Sequence, residues 1–108
     1  MTVSDKKKIL NGYGENILAA QRLKADLDRY TASAASIQRE IDRYLAQAED
    51  IEGIIGLVKD NFKREILLRK YIYGETFESM GLSLGYSSRQ LQRIINRAVS
   101  ELRLDMIA

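Results

Sequence analysis

Apolar positions in the first half of the chain recur at alternating steps of three and four. From Tyr13 the series runs through Asn16, Ala20, Leu23, Leu27, Tyr30, Ala34, Ile37, Ile41, Tyr44, Ala48, Ile51, Ile55, Val58 and Phe62, and only Asn16 among them is polar. A 3.5-residue period sustained this long predicts helix with one packing stripe. Residues 15–52 contain neither Gly nor Pro. As one straight helix they would extend about 57 Å at 1.5 Å per residue, too far to bury the stripe against a small domain. The stripe needs a partner helix, and two arrangements supply one. The small, polar run at residues 31–36 can bend into a helical hairpin, or a long helix can pair with a second chain and make a homo-oligomer. The flanking positions (Lys24, Asp26, Thr31, Ser33, Gln38 and Glu40) specify a parallel zipper poorly. Ile17, Leu45 and Ile54 widen the stripe at its ends, as in a helix facing a bundle. Either way the stripe is a packing surface without chemistry.

Gly53 and Gly56 interrupt the next stretch and mark a hinge or a close approach by another element. They set the expected organisation: an N-terminal arm over residues 1–14, a helical packing or oligomerisation region over 15–56, and a C-terminal domain over 57–108. That domain reads as three helices. Residues 59–73 are amphipathic, with Phe62, Ile66, Leu67 and Tyr71 near one face, and Gly74 stops them. Thr76 is a plausible N-cap for a short helix carrying Phe77, Met80 and Leu84, which ends at Gly85. Ser87 or Ser88 caps a last helix that runs to about Leu104. A short helix, a glycine turn and a longer helix make a helix-turn-helix, with Gly81 small where the two helices cross.

The polar face of the last helix adds chemistry. With Leu91 at zero and about 100° per residue, Ile94, Ile95, Ala98 and Leu102 fall near zero, whereas Arg89, Arg93, Asn96 and Ser100 fall opposite. Gln90, Gln92 and Arg97 flank that outward group. These are the side chains that pair with base edges and phosphates, and every cation is Arg, whose planar fork binds guanine or phosphate bidentately. Double-stranded DNA is the expected partner.

Composition sharpens this reading by subtraction. The 108 residues include no Cys, His, Pro or Trp. Disulfides, thiolate nucleophiles and Cys-based zinc sites are therefore excluded, and a His-based triad or zinc enzyme is not expected. No enzyme activity, metal or cofactor is expected, since the acidic cluster of Asp42, Glu49, Asp50 and Glu52 is better explained as a solvated helix face pairing with Arg39 and Arg43. Net charge is only +2, but it is unevenly spread: residues 1–50 carry eight basic and eight acidic side chains, residues 51–108 nine and seven. Between Tyr86 and Ser100 there are three arginines and no acid. No apolar run approaches the roughly 20 residues of a membrane helix, and Lys6-Lys7-Lys8 precede no signal-peptide core, so a cytoplasmic protein is expected.

The stretch from Arg64 to Met80, followed by Leu84-Gly-Tyr-Ser-Ser-Arg-Gln-Leu-Gln-Arg-Ile94, resembles region 4 of sigma-70-type factors. More closely, it resembles the small phage regulators of the ArpU and RinA kind. The resemblance covers about residues 59–104 and implies a regulator that binds promoter DNA and can touch RNA polymerase. It places Ser88, Arg89, Gln90, Gln92, Arg93, Asn96 and Arg97 on the recognition helix. Arg89, Gln92, Arg93 and Asn96 would approach base edges; Thr76, Tyr86, Ser87 and Arg97 would hold phosphates. Gly81 stands where the family usually has Ala and Phe77 where Trp is frequent, and nothing resembles the promoter-melting region 2. A DNA-packaging recognition subunit and a helical adaptor that does not bind DNA are the alternatives.

Overall fold

The computed structural model describes residues 1–27, 29 and 34–104, and they form an all-α fold. Five helices follow in order: α1 (Val3–Leu27), α2 (Ala34–Gly56), α3 (Asn61–Leu67), α4 (Phe77–Leu84) and α5 (Ser88–Ser100). A π-helical turn, Leu68–Ile72, continues α3. The molecule measures 52 × 29 × 21 Å, with the α1–α2 pair forming its long dimension.

The stripe finds its partner within the chain. α1 and α2 are separate helices packed along one another, the most extensive pairing in the fold. Ala20 of α1 and Ile41 and Ala48 of α2 are buried. Small side chains at two of these positions allow close approach of the helices. Tyr13 Oη donates to Glu52 Oε1 at 2.5 Å and pins α1 to α2. That hydrogen bond to the carboxylate, aided by desolvation, pushes the Tyr13 hydroxyl up to about 12. The reversal expected at residues 31–36 falls partly outside the described residues. The Arg29 N–H bonds Asp26 O at 3.0 Å just after α1 ends, and α2 is already helical at Ala34.

Three sequence expectations are altered. First, residues 1–14 are not an arm: helix begins at Val3, and Leu10 is fully buried. Gly12 and Gly14 weaken helix intrinsically, but burial of Leu10 against the rest of the fold outweighs about 1 kcal/mol per glycine. Second, the core ignores a boundary near residue 56. Leu10, Ile51 and Ile55 join Ile66, Leu67, Tyr71, Met80, Leu91, Ile95, Ala98, Val99, Leu102 and Leu104 in one cluster. Third, neither Gly53 nor Gly56 marks a close approach, because a Cβ at either would meet nothing within 4 Å.

The back half follows the expected order with finer punctuation. Asp60 caps α3 by accepting the Lys63 N–H at 2.9 Å, so helix starts at Asn61 rather than Lys59. Arg64 fastens the entry, donating to Val58 O at 2.7 Å and Asn61 Oδ1 at 2.6 Å. The π turn closes with the Tyr73 N–H on Leu68 O at 2.9 Å, and Gly74 at φ 72 ends it. Tyr71 is buried here, and desolvation raises its hydroxyl pKa. Among the described residues, no helix is long and apolar enough to cross a membrane.

Candidate nucleic-acid interface

Local chemistry fixes the angle between α4 and α5. Thr76 caps α4, its hydroxyl oxygen accepting the Ser79 N–H at 3.1 Å. α4 stops because Gly85 adopts φ 76, a left-handed conformation that costs glycine little. The chain then crosses back over α4 so closely that a Cβ on Gly81 would sit 2.5 Å from Tyr86 O and 3.9 Å from Leu91 Cδ1. Glycine at 81 is thus a steric requirement of the turn in this chain. Phe62 of α3 braces the turn from outside, its ring 5.5 Å from that of Tyr86.

α5 begins with a reciprocal cap. Ser87 Oγ accepts the Gln90 N–H at 3.1 Å, and Gln90 Oε1 accepts the Ser87 N–H at 2.9 Å. This decides between the two candidate serines: Ser87 is the N-cap and Ser88 the first helical residue. The inner face then buries Leu91, Ile95, Ala98 and Val99, with Ile94 half-buried beside them. At the far end, Lys6 of α1 donates to Ser100 O at 2.8 Å, satisfying an end carbonyl and placing a cation at the negative pole of the helix. Lys63 of α3 holds Glu101 at 3.1 Å. Both ends of α5 are fixed before any ligand arrives.

The outward face has the expected composition. Arg89, Gln92, Arg93, Asn96 and Arg97 are all exposed. Among the described residues the ion pairs are Arg43–Glu40, Lys63–Glu101 and Arg69–Glu75, and none engages Arg89, Arg93 or Arg97. Ser88 and Gln92 face α4, where they line an open cleft with Lys70, Thr76, Phe77 and Glu78.

The other expected site residues divide by whether their polar atoms are already engaged. Thr76 and Ser87 use a hydroxyl lone pair for capping, which leaves each O–H free to donate to a phosphate. Tyr86 is partly exposed on the turn, oriented by Phe62. Gln90 has its carbonyl oriented by the cap and its amide NH₂ unengaged. Lys70 is an addition that the sequence reading did not single out. Its ammonium lies 4.5 Å from the centre of the Phe77 ring, at the mouth of the cleft. The signal was a cation in the last turn before the Thr76 cap, but its proximity to Ser88 and Gln92 is tertiary. Arg69 has a supporting role, donating to Glu75 at 2.5 Å and Ser83 at 2.7 Å so that α4 is clasped to the π turn.

Such a surface presents planar, unpaired donors along one helix with hydroxyls and a further cation at its edge. It suits an anionic, acceptor-rich ligand. Comparison with protein-family models, curated proteins and solved structures finds no match to this chain.

Proposed function

We propose that the protein is a sequence-specific DNA-binding regulator of transcription, of the phage type that its α3–α5 region resembles. In this reading α4 and α5 form a helix-turn-helix, and α5 enters the major groove. The observation that carries it is the outward face of α5: exposed Arg89, Arg93 and Arg97 without an acid partner, on a helix fixed at both ends. A helix evolved only for solubility mixes Glu with Lys and pairs them; this one leaves its positive charge for a ligand.

Thr76, Tyr86, Ser87 and Lys70 would follow one strand's phosphates and Arg97 the other's. RNA polymerase enters as a partner through the resemblance alone. The hairpin satisfies the packing stripe internally, so DNA binding by this fold does not require a second copy. The test is fluorescence anisotropy of the purified chain with labelled duplex DNA across a salt series. Binding whose logarithm falls linearly with the logarithm of salt, and which exceeds that to scrambled duplex, supports the proposal. No detectable binding at low salt sinks it and favours a helical adaptor.

A further inference from the structure

We infer that the duplex read by α5 carries two guanines about two base-pair steps apart, bound by Arg89 and Arg93, with an adenine one step further for Asn96. The inference rests on the DNA-binding reading and gives its substrate a sequence.

Three observations lead to it. The first locates the edges of the reading face. Ser88 and Gln92 share their cleft with Lys70 and Thr76, so this side of α5 abuts α4 and would run along one strand's backbone. Arg97 lies about 140° further round the helix, toward the opposite strand. Between these edges stand Arg89, Asn96 and Arg93, all exposed.

The second observation is chemical availability. No acidic residue occurs between Glu78 and Glu101. Glu101 and Glu75 are held by Lys63 and Arg69. Nothing on the face competes for the two arginine forks. Gln90, the other amide near the helix start, lies beyond Arg97 on the helical wheel, outside these edges, and its side chain is tied into the cap. Asn96 keeps both its donor and its acceptor. Guanine presents two neighbouring acceptors, O6 and N7, to an Arg fork, and adenine presents N7 and N6 to a carboxamide.

The third is spacing. Four helical residues rise about 6 Å, close to two base-pair steps of about 3.4 Å. Three residues, from Arg93 to Asn96, rise about 4.5 Å, nearer to one step.

The experiment is selection from random duplexes by the intact chain, with sequencing of the bound pool at two salt concentrations. Enrichment of guanine at two positions two steps apart is expected. Arg93→Ala removes the donors altogether; it should erase one guanine preference and weaken the selected site on the order of 10- to 100-fold. Its salt slope should stay unchanged, whereas Arg97→Ala should reduce that slope by about one and leave the base preferences alone. Unaltered thermal unfolding establishes that these surface variants are folded. A pool lacking the paired guanines, or one whose guanines survive both Arg89→Ala and Arg93→Ala, overturns the assignment while leaving DNA binding intact. Absence of any bound pool overturns the DNA-binding reading itself.

Discussion

The α1–α2 hairpin and the α3–α5 region are built from the same kind of amphipathic helix, but they dispose of charge differently. On the outer side of α2, Arg43 pairs with Glu40 at 3.6 Å, and Gln38 donates to Asp42 at 3.0 Å. Acids and bases are interspersed along α2, so positive and negative charge offset one another on that face. On α5 the cations are arginines with no acid among them; of the acids nearest its ends, Glu101 and Glu75 are held by Lys63 and Arg69, and Glu78 lines the cleft beside α4. The inner faces barely distinguish the two regions, since both bury aliphatic side chains. What separates scaffold from candidate interface is whether a helix mixes acids with its cations.

That comparison treats the hairpin as scaffold, and the hardest test is whether the back half stands without it. Leu10 reaches from α1 into the core shared with α5. Leu10→Ala should therefore cost about 2–5 kcal/mol and lower the melting temperature of the whole chain in one transition. Two separate transitions, with α3–α5 unaffected, would restore the boundary near residue 56. Gly81→Ala comes next, at about 1–3 kcal/mol, because the new methyl meets the Tyr86 carbonyl and the turn must shift. Denaturant midpoints measure it, and a neutral result would show that the α4–α5 angle is less constrained than the contact implies.

Smaller effects separate the regions further. Gly53→Ala in α2 should stabilise by up to about 1 kcal/mol, since the site is helical with open space around it. A loss of stability there would reveal a function for the flexibility of Gly53. The smallest effect concerns Tyr13. Its hydroxyl is raised from 10 to about 12 in the fold, so its bond to Glu52 contributes fully below pH 10 and is lost as pH rises toward 12. Between those limits the wild type should lose stability faster than Tyr13→Phe, as thermal melts of the two in parallel would show. Equal slopes would mean that the hydroxyl titrates normally.

Much of the back half was legible because its signals are local. Gly74, Thr76, Gly85 and Ser87 act through their own backbone or a neighbour three residues away, and all four appear where their chemistry places them. The outward face of α5 was legible for a related reason: a 3.6-residue period fixes which side chains oppose Leu91. The first half was ambiguous because its stripe is satisfied equally by a partner in the same chain or another. Helicity over residues 3–14 was hidden by Gly12 and Gly14, whose local cost is overcome by a contact between Leu10 and residues far along the chain. Lys70 and Phe62 were missed on the same account, their roles arising only when α3 is laid beside the α4–α5 turn. Gln90 shows the converse: its type fits base recognition, and the structure adds a capping bond that orients its carbonyl toward the Ser87 N–H.

The bond from Lys6 to Ser100 links residues 94 positions apart, which bears on the order of events during synthesis. The first helix leaves the ribosome long before the last, and its apolar side must wait, with α2 as its only early companion. The hairpin can form during that interval because its contacts are complete once residue 56 has emerged. Leu10 and Lys6 acquire their remaining neighbours only when α5 follows. The hairpin is therefore available before α5 exists, and the arginine face is held in place only once α5 docks on it.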